Sequence, residues 1–349
     1  MNKAKKYLLG FVSGVLIIAI LMGCAVFVID PFFQYRVKED KYKLSWLYNS
    51  PGLAKNYEYD TLLLGSSMIQ NTDMEHFEET LNTKALKIGI GGVNLDESGR
   101  YLRLAYDREN VKDFYVSIDF ASLDDEGTRT PLYLFEDDII SRLKYFFSYE
   151  AWLRFIPLDI AFIVAEKTIG LPESMKEETE IKRVGEWFPS AVFGKEEVID
   201  NYTNDRYSVS AVDKADLENK MKTNIDKFFD IVDTLKGNHF FFFPPYSSLY
   251  WCETQEKDYF EEYMRVKKYF CEKAWAAGAT VYDFQTAEFT RDLDNYKDTT
   301  HYKVDINNWM TECFAKKENI ITKENFAENE QKLRNNTDIF RNEHTFLFK

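Results

Sequence analysis

Three short stretches carry side chains whose types and spacing suit acyl transfer: Gly65-Ser66-Ser67-Met68, Gly91-Gly92 and Asp298-Thr299-Thr300-His301. A serine on a tight turn after a strand stands exposed, and the N–H groups of such a turn stabilise developing negative charge. A histidine in reach of that serine takes its proton, and a carboxylate beside the histidine orients the ring. A glycine pair lets backbone N–H groups approach a substrate oxygen closely. Asp298 suits the orienting role better than Asp294, because it precedes His301 by three residues and one turn can present both side chains. Taken singly, the three stretches have plain structural uses: a capped turn, a strand–helix turn, a helix N-cap with a surface histidine. Their order along the chain is what points to chemistry.

The elements that must position these residues follow from the hydrophobic pattern. Short continuous apolar runs near 61–64, 85–90, 114–118, 239–243 and 280–284 read as buried parallel strands. Between them lie helical stretches at 94–108 and about 256–276. A third helix shows Leu217, Met221, Ile225, Phe228, Val232 and Leu235 at spacings of 4, 4, 3, 4 and 3, with Gly237 as its C-cap. Strands separated by helices predict an α/β fold, a parallel sheet covered on both faces. Ligands of such sheets bind outside the carboxyl ends of the strands, where all three stretches fall. The expected organisation is a segment 1–30, a lead-in 31–58, an α/β domain 59–315 broken by a mostly helical insertion at 123–212, and a polar tail 316–349.

Charge and composition narrow the functions. The net charge is −14, with no basic run beyond the first six residues, which argues against nucleic acid as a partner. Four cysteines and four histidines are scattered without ligand spacing, so neither a metal nor a disulfide framework is expected. Lys3, Lys5 and Lys6 precede an uncharged run from Tyr7 to Ile29, closed by Asp30. As a helix that run spans about 34 Å, enough for a bilayer core of about 30 Å. The lysines place the N-terminus in the cytoplasm and everything after Asp30 outside, on a single-pass anchor. Leu21-Met22-Gly23-Cys24 hints at a lipoprotein cleavage site, but the apolar run continues through Ala25 to Ile29.

With serine after the first strand, glycine after the second and Asp-x-x-His near the C-terminus, the chain resembles the SGNH (GDSL-like) hydrolase superfamily. The similarity is closer to its membrane-anchored cell-envelope branch, which includes the protein of the teichoic-acid D-alanylation system and alginate O-acetyltransferase-like proteins. Asp30-Pro31-Phe32-Phe33 and the stretch Asn56 to Met68 are similar to a bacterial group of such anchored proteins. The resemblance implies a flavodoxin-like three-layer fold with strand order 2-1-3-4-5. By position it makes Ser67 the nucleophile, with Ser66 in the preceding slot, and Asp298 and His301 the rest of a triad. Ser67 and Gly92 then supply the oxyanion hole. The family's third block contributes an oxyanion asparagine; here the third strand ends Ile118-Asp119-Phe120-Ala121-Ser122. An ionised Asp119 would oppose an oxyanion, leaving Ser122 or a backbone N–H for that role.

The implied activity is that of a serine esterase or O-acyltransferase, with no cofactor, acting on a cell-envelope polysaccharide or teichoic-acid-like polymer. The alternative is a non-catalytic binding or assembly protein whose insertion docks an envelope partner. Ser66, Asp119, Ser122, Tyr246 and Trp251 are candidate substrate-lining residues, the aromatics (with Tyr250) as stacking platforms for sugar rings. His76, His239 and His344 read as structural or solvated. Asp124-Asp125-Glu126 and Glu136-Asp137-Asp138 read as solvated faces without the alternating spacing of a calcium loop.

Overall fold

A computed structural model of the chain describes residues 3–37, 44–172, 191–204 and 214–348. Parts of the expected insertion, 173–190 and 205–212, therefore lie outside the described residues. In chain order the elements are helices α1 (Lys3–Ile29) and α2 (Trp46–Asn56), strand β1 (Thr61–Gly65), α3 (Met74–Leu81), β2 (Ala85–Gly89), α4 (Leu95–Tyr106) and β3 (Asp113–Ser117). Then come α5 (Ile139–Phe146), α6 (Ile156–Thr168), α7 (Lys195–Thr203), α8 (Lys214–Val232) and β4 (Asn238–Phe243). The chain continues through α9 (Ser248–Glu256), α10 (Phe260–Ala276), β5 (Thr280–Asp283), α11 (Val304–Lys316) and α12 (Phe326–Glu343). Two compact units result, Met1–Tyr57 with Arg129–Ile181, and Glu58–Thr128 with Lys182–Lys349.

The first unit is helical. Helix α1 is long and apolar enough to cross a membrane, and it is almost entirely exposed. The chain leaves it at Asp30, buried and with φ of 48°. The Asp30 carboxylate accepts the N–H groups of Gln34, Tyr35 and Arg36 and the hydroxyl of Tyr145. Arg36 in turn donates to the carbonyls of Phe27 and Val28, satisfying the last turn of α1. Around this exit Val26, Phe32, Leu134, Tyr145, Phe155 and Ile156 form a small core. Helix α5 ends at Phe146, and a π-helical turn, Glu150–Phe155, leads into α6.

The second unit is α/β, with five strands in one sheet ordered β2-β1-β3-β4-β5 and every pairing parallel. Its strands are buried on both faces, so they read as continuous apolar runs instead of alternating ones. Tyr115 and Phe242 meet Phe77 of α3 and Phe314 of α11 on one face. Phe241 meets Phe228 and Phe229 of α8 and Phe270 of α10 on the other. Lys87, in the middle of β2, is buried with its ammonium on the carbonyls of Gln70 and Thr72.

Two differences from the sequence reading bear on the site. Helix α9 was not expected: Ser248 through Thr254 are all buried, so no one-sided periodicity marks it, although Ser247 caps it through the N–H of Tyr250. The segment from 316 on, read as a polar tail, carries α12, whose Leu333, Thr337 and Phe340 are buried.

Candidate active site

Strand β1 ends at Gly65, and the turn that follows decides where the serines point. A Cβ on Gly65 would lie 2.6 Å from the Ser117 Cβ, so only glycine lets the ends of β1 and β3 approach this closely. Ser66 caps the 3-10 turn Ser67–Ile69, its Oγ accepting from the N–H of Met68. Ser67 opens the turn, so its own N–H has no carbonyl behind it within the turn. Its hydroxyl is half-buried and lies 2.7 Å from Nε2 of His301.

His301 is carried by a tight loop bridged between Tyr296 and Tyr302, with the Lys297 N–H on the His301 carbonyl. Nδ1 of the ring lies 2.8 Å from Oδ2 of Asp298 and 3.0 Å from Oδ1. Oδ1 also accepts the N–H groups of Thr300 (2.9 Å) and His301 (2.8 Å). Burial works to raise the Asp298 carboxyl, but the hydrogen bond and charge of His301 and these two N–H groups outweigh it and hold the carboxyl down at about 2. An ionised Asp298 accepts a hydrogen bond from Nδ1–H and so keeps the proton on that nitrogen, which leaves Nε2 with a lone pair facing the Ser67 hydroxyl. That tautomer suits removal of a proton from serine.

Three contacts hold the histidine loop against the sheet edge. The N–H and hydroxyl of Ser247 both donate to the Thr299 carbonyl, and the Tyr296 hydroxyl donates to the carbonyl of Pro245. From the other side Asn71, on the turn after Ser67, donates to the Tyr302 carbonyl. Serine and histidine, 234 residues apart, are thus each fixed to the same edge. Sequence reasoning missed Asn71 and Ser247 as anchors, since nothing local marks a side chain that will meet a loop more than fifty residues away.

Asp119 stands at the end of β3, where the resemblance calls for asparagine. It is buried and accepts hydroxyls from Ser66 (2.6 Å), Tyr246 (2.7 Å) and Ser117 (3.3 Å). Burial raises its carboxyl, with the hydroxyls of Ser66 and Tyr246 and the charge of His301 pulling back. Its oxygens are occupied by the hydroxyls beneath the serine turn. Ser122, also buried, closes the next turn with its N–H on the Asp119 carbonyl.

The stacking platform is corrected by burial. Trp251 is 0% exposed and Tyr246 3%. Trp251 packs edge-on against Phe120, Tyr250 and Phe260, in the core under the site. Ser66, Asp119, Ser122 and Tyr246 likewise belong to the buried support of the turn instead of a groove wall. Gly92, by contrast, is exposed in the turn after β2 with φ of 66°. The Ile90 N–H on the Gly65 carbonyl keeps that turn level with the end of β1. Among the described residues no three His, Cys, Asp or Glu side chains gather as a metal site would need.

A scan of the chain against protein-family models finds no match, and a search of curated proteins finds none either. What is shown is an α/β protein with a five-stranded parallel sheet, a Ser-His-Asp constellation at its carboxyl edge, and one N-terminal helix of membrane-spanning length.

Proposed function

We propose that this protein is a membrane-anchored serine esterase or O-acyltransferase of the SGNH type, acting outside the cytoplasmic membrane on an ester-bearing cell-envelope glycopolymer. The observation that carries the reading is the continuous chain from Ser67 Oγ through the His301 ring to Asp298. Ser67 attacks the ester carbonyl while Nε2 of His301 takes the hydroxyl proton, and Asp298 stabilises the imidazolium. The N–H groups of Ser67 and Gly92 face the negative oxygen of the tetrahedral intermediate. His301 then gives its proton to the departing alkoxide, leaving an acyl-serine. Water or a sugar hydroxyl, deprotonated by the same Nε2, releases the acyl group and restores the hydroxyl. Helix α1, with Lys3, Lys5 and Lys6 at its start and membrane-spanning length, anchors the chain with its N-terminus in the cytoplasm.

Fluorophosphonate labelling of the full chain tests the reading. Labelling that disappears in Ser67→Ala supports it. A second reading, a binding or assembly protein that keeps the fold, draws on Asp119 in place of an oxyanion asparagine. Absence of labelling in the folded wild-type chain decides for that second reading.

A further inference from the structure

Exposed apolar side chains are not scattered over this protein. Among the described residues, every large one outside α1 lies between 132 and 169, save Val192, Ile339 and Phe346. Ile139, Ile140, Leu153, Ile163 and Ile169 stand 75%, 60%, 67%, 39% and 83% exposed. Helix α6 is the extreme case, with Leu158, Ile160, Ile163 and Val164 all exposed. From Pro157 to Val164 this helix turns only apolar groups outward, a face built for a medium other than water. At thirteen residues α6 is about 20 Å long, too short to cross a bilayer core of about 30 Å.

The same compact unit contains α1, and the two surfaces are continuous. Gly23 of α1 faces the ring of Phe146 at the end of α5, and Asp30 is bonded to Tyr145 of that helix. From 139 to 169 the stretch carries four basic and three acidic residues, within a chain of net charge −14. Arg142, Lys144, Arg154 and Lys167 are exposed among the aliphatic groups, the composition of a helix lying at an anionic lipid surface. Trp152 is half-buried and Tyr149 is 70% exposed, residues that favour the headgroup level.

We infer that α5, the π-helical turn and α6 form a second membrane contact, lying in the outer-leaflet interface beside the point where α1 emerges. This rests on the reading of α1 as a transmembrane anchor and adds a lipid-docked platform to it. The chain after Asp30 is then held at the bilayer by two attachments, which suits a lipid-linked polymer substrate or an acyl donor delivered at the membrane.

The test uses the full chain in phosphatidylcholine–phosphatidylglycerol vesicles. Cys24 is replaced by serine, the buried Cys252, Cys271 and Cys313 are kept, and single cysteines are placed at exposed positions for an environment-sensitive fluorophore. Labels at Ile140, Leu153 and Ile163 should lose most of their emission to lipids bearing a nitroxide near the headgroup and resist aqueous iodide. A label at Leu21 should be quenched by nitroxide near the chain end, and one at Ile339 by iodide alone. Quenching at Leu21 with iodide-accessible labels at 140, 153 and 163 overturns the platform and leaves the anchor standing. An unquenched Leu21 overturns both. Labels shielded from iodide yet untouched by nitroxide lipid overturn the platform in favour of a protein partner or a second copy.

Discussion

Asp298 takes part in two energetic relations, one to the imidazole and one to pH. In Asp298→Asn the side-chain amide no longer compels a proton onto Nδ1, so the lone pair facing Ser67 is lost from much of the population. The rate of fluorophosphonate labelling should fall on the order of 10³–10⁴-fold, read as a second-order rate constant against wild type. Ser67→Ala should abolish labelling while moving stability by less than about 0.5 kcal/mol, since a half-buried hydroxyl on a surface turn contributes little to packing. Because the folded Asp298 carboxyl is held at about 2, below its ordinary 3.8, its contribution is present above pH 4 and disappears as pH falls toward 2. Chemical denaturation across that window should show a loss on the order of 2 kcal/mol in wild type that Asp298→Asn lacks. Asp119 has the opposite sign: its raised carboxyl favours the folded state as pH falls, so Asp119→Asn should remove a trend in the other direction. Asp119→Ala strands three hydroxyls in the interior and should destabilise by several kcal/mol, at roughly 1–3 kcal/mol for each orphaned group.

At the scale of elements, the site depends on how closely strand ends meet. Gly65→Ala drives a methyl into the Ser117 side chain and wedges β1 from β3 directly beneath Ser66 and Asp119. Thermal unfolding should report about 1–3 kcal/mol of destabilisation, and fluorophosphonate labelling should fall even at temperatures where the variant is folded. Lys87→Met leaves the carbonyls of Gln70 and Thr72 without the ammonium and frees the turn on which Asn71 reaches Tyr302. The expected result is slower labelling together with a lower melting temperature, whereas a surface lysine such as Lys332 should change neither when replaced. The strands that make this edge were legible as apolar runs, because a parallel strand buried on both faces has no polar alternation to obscure it. Helix α9 was not legible for the related reason that a helix buried all round shows no periodicity.

At the scale of the molecule, membrane topology carries the clearest expectation. A reporter fused after Lys349 and active only outside the cytoplasm should be active, and one active only in the cytoplasm should be silent. Reversal of that pattern would place the triad in the wrong compartment for an envelope polymer.

Chemistry and periodicity along the chain were enough to point to the Ser66-Ser67 turn, the Gly91-Gly92 pair, Asp298 and His301, to find the strands, and to find the apolar N-terminal helix; the strand order and the choice of Ser67 and Gly92 came from the family resemblance. Those features are local: a strand end, a glycine turn, an Asp-x-x-His spacing and an uncharged run each show themselves within a few residues. Burial and partnership are not local. Tyr246 and Trp251 have the composition of a sugar platform, yet packing against Phe120, Tyr250 and Phe260 puts them inside. Asp119 looks like a charge aimed at the oxyanion until three hydroxyls, one of them 127 residues away, are seen to close around it. The stretch from 139 to 169 reads only as part of a helical insertion, and its exposure is seen only in the folded unit. Residue type sets what a side chain can do, but long-range contacts set what it meets, and Asp119 and Trp251 meet partners distant in the sequence, Tyr246 and Phe120.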